Sequence, residues 1–271
     1  MKTRLSEDGT KLVATYELHP FDFDRSGHLK LWILAAIIDA NQQANLLGDR
    51  AQLRFPGFLK TVTGFARYQE FRIQPEFYTK LREGAKVTVA VGISHVGKTS
   101  WLLEGDVRLA STGEVLCYSL GQGVLVNVTT RKPTAIPDNL RNSFPKKDPL
   151  PRLGVPMPLN PGRIYRHDFV ALPSDSDINE HTNFSTYIRF CADATAALVR
   201  EGVFSFLKEG VKMKKISLLF QKETKEGENV TVEATEDSGR SHSLDFQVKK
   251  GNDDIVKCCF EFFDDDNKSK L

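Results

Sequence analysis

The sequence runs through the same order of elements twice, on either side of a proline-rich stretch, and this duplication constrains the fold more than any other feature. Pro145, Pro149, Pro151, Pro156, Pro158 and Pro161 all fall between Arg141 and Gly162, half of the 12 prolines in the chain. Proline lacks an amide donor and fixes φ, so this stretch reads as an extended linker rather than a helix or central strand. It separates residues 1–140 from residues 163–271, each of ordinary domain size, with 141–162 as the joint. In the first flank Leu12–His19 reads as a strand, Asp22–Gly27 as a turn and Leu29–Leu47 as a long buried helix. Strand-like runs follow at Gly64–Ile73, Ala85–Ser94, Ser100–Leu109 and Val115–Val128. The second flank repeats this order. Ile164–Leu172 is a strand, Asp175–Glu180 a turn and Asn183–Arg200 a helix, and four strands follow near 214–222, 229–235, 241–248 and 255–263. A repeat of this length is a duplicated domain and not a short solenoid. One helix laid on a strongly curved antiparallel sheet is an α+β architecture.

Composition narrows the function classes. The chain has 37 Lys and Arg against 35 Asp and Glu, a net charge of +2, which argues against a dedicated nucleic-acid binder. No run approaches the length of apolar sequence that a membrane span needs. Met1–Asp8 is charged and has no apolar signal core, so a cytoplasmic place is expected, and a plastid only if a transit peptide has been removed. Four cysteines do not make a disulfide scaffold, and Cys258 and Cys259 read as packed strand thiols because no ligand set has metal spacing. No metal or other cofactor is therefore expected.

Gly92-Ile-Ser-His-Val-Gly97-Lys98-Thr99 matches the phosphate-loop pattern, which works only where a helix follows and completes the anion cradle. Both flanks here are strand-like, so Gly97-Lys98 reads as a hairpin turn.

The densest polar constellation is Asp175-Ser-Asp177-Ile-Asn179-Glu-His181-Thr-Asn183-Phe-Ser-Thr-Tyr187-Ile188, between a strand and a helix. In an extended stretch Asp177, Asn179 and His181 would point one way. Histidine supplies an acid, base or donor and an asparagine amide can orient it. Asn183 is placed to cap the helix, whose first N–H groups could polarise a carbonyl oxygen. A turn that stops a strand and caps a helix would account for the same residues.

Asp177-x-Asn179-x-His181-x-Asn183-x-x-x-Tyr187-Ile188 resembles the DxNxHxNxxxYI signature of hotdog-fold thioesterases, and above all the second domain of the acyl-acyl carrier protein (acyl-ACP) thioesterases. Leu125–Pro137, with Thr130-Arg131 and Ile136-Pro137, is similar to the segment that closes that family's first domain, and Ser217–Thr224 is similar to its YRxEC strand. The resemblance covers nearly the whole chain and implies a double hotdog, each domain a long helix wrapped by a curved antiparallel sheet. It implies an enzyme that hydrolyses a fatty-acyl or related acyl thioester of ACP or coenzyme A. Carried over by position, the catalytic candidates are Asp177, Asn179, His181 and Glu223. Asp193, in the helix after the signature, competes for the role of base, since a carboxylate deep in an apolar helix would have a raised pKa. The family's cysteine after the glutamate is Thr224 here, so a cysteine nucleophile is not available at this position.

Substrate-binding candidates are Asn183, Tyr187, Trp32, Ile33, Ile37 and Arg131. The three hydrophobic residues read either as core or as acyl-pocket lining. The first half carries a degraded turn, Asp22-Phe-Asp24-Arg-Ser-Gly27-His28, with Asp39 in the following helix. An acidic carrier protein, or the phosphates of coenzyme A, would meet basic residues, with Arg131, Lys132, Lys212, Lys214 and Lys215 as candidates. A hotdog hydratase or dehydratase, or a non-catalytic acyl-thioester-binding protein, are the rival readings. A monomer, itself a pseudo-dimer of two hotdogs, and a homodimer are both compatible with the duplication.

Overall fold

A computed structural model describes residues 3–47, 51–55, 57–144, 153–156, 158, 161–177, 180–204, 206–207 and 210–264. The chain divides into two compact units, Met1–Leu153 and Gly154–Leu271.

The first unit contains β1 (Thr3–Leu5), β2 (Leu12–Glu17), α1 (Leu31–Leu47), β3 (Val62–Ile73), the one-turn helix α2 (Phe77–Lys80), β4 (Lys86–Val96), β5 (Ser100–Leu109), β6 (Val115–Asn127) and the short α3 (Asp138–Arg141). Its strands pair antiparallel in the order β1-β2-β4-β5-β6-β3. In β4, Val87, Val89 and Val91 alternate inward, the period of a half-buried strand. Leu31, Leu34, Ala35 and Ile38 of α1 are buried. The same helix also buries amides. Asn41 Nδ2 donates to Val89 O at 2.7 Å, and Asn45 Nδ2 to Val91 O at 3.3 Å, so amides tie α1 to β4. The phosphate-loop look-alike is a hairpin: β4 runs to Val96, Gly97 N donates to Ser100 O at 2.7 Å, and β5 begins there with no helix.

The second unit contains β7 (Tyr165–Val170), α4 (Phe184–Arg200), β8 (Met213–Phe220), β9 (Asn229–Thr235), β10 (Ser243–Lys250) and β11 (Asp253–Phe262). The sheet order is β8-β11-β10-β9-β7, antiparallel throughout. α4 buries Phe184, Tyr187, Ile188, Cys191, Ala194, Thr195 and Leu198, spaced at three and four residues as one helical face requires. Val232, Ala234, Phe246, Val248, Cys258 and Phe260 are buried on the strands. All four cysteines are free and buried, and Cys258 packs against Cys191, where burial raises its thiol pKa well above the usual range. Among the described residues no helix is long and apolar enough to cross a membrane, and no cluster of three metal-ligating side chains occurs.

α4 starts where it does because Asn183 caps it. Asn183 Oδ1 accepts from Ser185 N at 2.9 Å and from the Ser185 hydroxyl at 2.7 Å. Asn183→Ala is expected to lower stability by about 1 kcal/mol, read as a shift of the urea midpoint with an unchanged m-value.

Candidate active site

The site is built at the passage from β7 into α4. After β7 the chain makes a single 3-10 turn, Pro173–Asp175. Buried Asp175 fastens this turn to the helix. Its Oδ2 accepts from Leu172 N at 2.9 Å, its Oδ1 from Arg189 Nη2 at 2.7 Å, and its backbone carbonyl from Asn183 N at 2.8 Å. The signature segment then folds back on itself. Asp177 N donates to His181 O at 2.8 Å, Glu180 N donates to Asp177 O at 3.0 Å, and Ser176 pairs with Thr182 as an antiparallel bridge. Glu180 sits at φ 60°, the left-handed turn position that closes the loop. Thr182 N donates to Thr224 O at 2.8 Å, docking the loop on the chain that leaves β8.

This docking makes the pair that defines the site. His181 Nε2 lies 2.8 Å from Glu223 Oε2. The imidazole is nearly buried, with 10% of its side chain exposed, whereas the Glu223 side chain keeps 33%. The accessible member is the carboxylate, and the buried member donates to it through Nε2–H. Such a pair can take a proton from water at the carboxylate while the imidazole fixes the orientation of that carboxylate.

The other expected residues fall in different places. Asp177 is partly buried in the turn. Asn179 lies outside the described residues. Asp193 is not deep in the helix's apolar face. It lies off the buried stripe, 47% of its side chain is exposed, and Arg189 Nη1 is 3.7 Å away. Partial burial raises its carboxyl pKa and Arg189 pulls it back down. Asn183 is the helix cap. Its side chain accepts Ser185 N and its carbonyl accepts Thr186 N at 3.0 Å, so those two first-turn donors are already used and are not available to an oxyanion. Tyr187 is buried, and burial pushes its phenol up to about 12, so it stays protonated at any ordinary pH.

In the first unit, Trp32, Ile33 and Ile37 sit on the half-buried side of α1, while the fully buried side is Leu31, Leu34, Ala35 and Ile38. They are therefore not core of that unit's helix–sheet layer. Arg131 occupies a left-handed turn position and lays its guanidinium over Phe65 at 4.6 Å. Sequence reasoning did not single out the hydroxyls of Thr182 and Thr224, which flank the His181–Glu223 pair. The signal available was that each directly follows a member of it.

Residues 163–264 match the family model of the acyl-ACP thioesterase C-terminal domain. The match falls within the second unit and spans most of it. The matched segment contains both His181 and Glu223 and the loop that brings them together. Solved structures resemble the full chain in fold. A protein assigned as an oleoyl thioesterase, from Lactobacillus plantarum, superposes with a TM-score of 0.73 at 18% identity, covering 92% of this chain and 94% of its own. An acyl-ACP thioesterase from Bacteroides thetaiotaomicron gives 0.69 at 17%, covering 96% and 100%. The 12:0-ACP thioesterase from Umbellularia californica gives 0.69 at 18%, covering 93% of each. No curated protein matches the chain by sequence.

Proposed function

We propose that the chain hydrolyses the thioester of a fatty-acyl or related acyl group carried on ACP, with Glu223 as general base and His181 as the donor that orients it. The observation that carries this reading is the 2.8 Å His181 Nε2–Glu223 Oε2 contact inside the segment that matches the acyl-ACP thioesterase C-terminal domain. Glu223 takes one proton from water, and the water oxygen bonds to the carbonyl carbon. The tetrahedral intermediate then expels the thiolate as the C–S bond breaks, and the proton held on Glu223 passes to sulfur. The products are the free acid and the carrier thiol. Thr224 follows Glu223 where a cysteine would be needed for a covalent thiol route, which favours water as the nucleophile. Lys212, Lys214 and Lys215, just before and within the first residues of β8, are charged residues that an acidic carrier could meet, although Lys215 also lies 3.4 Å from Glu261.

The test is thiol release from acyl-ACP and acyl-CoA of graded chain length. Release from acyl-ACP above background, with a lower KM than for the matching acyl-CoA, is the expected result. Turnover of an enoyl or hydroxyacyl thioester with no thiol released would replace this reading with a hydratase.

A further inference from the structure

Two buried hydroxyls beside the active pair have no ordinary structural use. Thr182 is 7% exposed and Thr224 is fully buried, and neither Oγ1 has a hydrogen-bond partner of full geometry. Buried polar groups are nearly always satisfied, so two adjacent exceptions ask for a reason. Their positions supply one. Thr182 directly follows His181, Thr224 directly follows Glu223, and the backbones of the two threonines are already joined at 2.8 Å. The group that both hydroxyls border is the Tyr187 phenol, which reaches in from the first turn of α4 and is held in place by Phe190 and Phe220. Each of the three hydroxyls can donate and accept. Three rotors at one point can therefore exchange partners without moving the backbone.

The first unit is an internal control. There Phe23 and Leu29 form the bridge that Ser176 and Thr182 form here. Lys30 N donates to Asp22 O as Asn183 N does to Asp175 O, and Gln74 N donates to Leu116 O as Gln221 N does to Ile255 O. In this register Leu29 stands for Thr182, Phe77 for Thr224 and Leu34 for Tyr187, and all three are buried. Hydroxyls are replaced by hydrocarbon at every position of the trio. His28, which stands for His181, packs edge-on against the Tyr78 ring at 5.0 Å. The backbone frame is shared. The hydroxyl trio beside the His–Glu pair of the second unit is replaced in the first.

We propose that Thr182, Thr224 and Tyr187 are positioning residues, a buried hydroxyl latch that holds the signature loop against the end of β8 and so keeps His181 aligned on Glu223. The proposal rests on the hydrolytic reading of that pair. It concerns no contact with substrate. The latch acts through the two residues that precede its threonines.

The test compares Thr224→Val, which removes the hydroxyl at constant volume, with Tyr187→Phe, with Thr224→Ser, and with Thr195→Val as a control. Thr195 is a buried hydroxyl of α4 that bonds Cys191 O at 2.8 Å, away from the pair. Thr224→Val and Tyr187→Phe are each expected to lower kcat about 10-fold with KM nearly constant, as misalignment of a catalytic group does. Thr224→Ser is expected to restore most of the loss, and Thr195→Val to change Tm without changing kcat. A second readout does not depend on turnover. The imidazole resonances of His181, identified by their disappearance in His181→Asn, are expected to be single in the native protein and broadened or doubled in Thr224→Val and Tyr187→Phe. Native-like His181 resonances in both variants overturn the proposal. So do an unchanged kcat in both, or an equal loss of kcat in Thr195→Val. If the native protein releases no thiol from any acyl thioester, the hydrolytic reading fails and the His181 spectrum alone decides whether the latch exists.

Discussion

Glu223→Gln is expected to lower kcat for thiol release by about 100- to 10,000-fold, the span over which a positioned general base contributes, with little change in KM. Glutamine keeps the length and shape of the side chain, and its carbonyl oxygen can still accept from His181 Nε2–H. What it cannot do is hold a proton. The loss therefore isolates proton transfer from geometry. Glu223 keeps a third of its side chain exposed, so stability should be almost unaffected, and a urea titration run beside the kinetics checks this. His181→Ala should cost a similar factor for a different reason: the carboxylate survives but loses the donor that aims it. The two losses should not multiply in the double variant, because both disable one unit. Asp193→Asn is the counter-test. Its side chain is half exposed and its ion partner is Arg189, so kcat is expected to stay within a few-fold of native. The reverse order of effects, a collapse in Asp193→Asn with Glu223→Gln near native, would move the base from the end of β8 to α4.

The frame of the molecule was legible where an element carries a local mark. Asn183 announces the start of α4, and Ser100–Leu109 and Asn229–Thr235 show strand residues bounded by turn residues, so their limits match those in the structure. β1 carries no such mark. Three residues are too few for a period, and Thr3–Leu5 is a strand only because it pairs with Leu12–Ala14. The site was legible in part. His181 stands in a signature, but nothing local marks Glu223 in its Lys- and Glu-rich surroundings, and the resemblance alone placed it. Their contact depends on Thr182 N meeting Thr224 O, a long-range register that spacing along the chain does not encode. Asp193 was misjudged as deep for a related reason. A helix position has no depth until its buried stripe is assigned, and that stripe runs through Tyr187, Cys191 and Ala194 while Arg189 and Asp193 lie beside it. Phosphate-loop spacing at Gly92–Thr99 was rejected correctly, because the motif needs a helix and the flanks were strand-like.

Arg240→Ala is expected to be among the most destabilising single changes in the second unit, costing about 3 kcal/mol at neutral pH. Arg240 stands between two buried carboxylates. Its Nε lies 3.1 Å from Asp237 Oδ2, its Nη2 is paired with Asp245 Oδ2, and its Nη1 donates to Cys259 Sγ at 3.5 Å. Asp237 is 1% exposed and Asp245 5%, and Asp237 also accepts from Gly239 N at 3.0 Å, so removing the guanidinium bears hardest on Asp245 in the interior. Burial already holds the Asp245 carboxyl above its ordinary value, against the pull of Arg240. A carboxyl whose pKa is higher folded than unfolded binds its proton more tightly in the folded state, so its contribution falls as pH rises through the folded value. Without Arg240 that value rises further. The deficit relative to the native chain should therefore be largest at neutral pH and shrink as pH falls toward the ordinary carboxylate range, where protonation removes the stranded charge. Urea midpoints at pH 7.5 and pH 5 measure this directly, and a deficit that grew on acidification would contradict it. Replacing all three residues together by apolar side chains of similar volume should cost much less than Arg240→Ala alone, because the penalty comes from uncompensated burial and not from loss of the ion pairs as such.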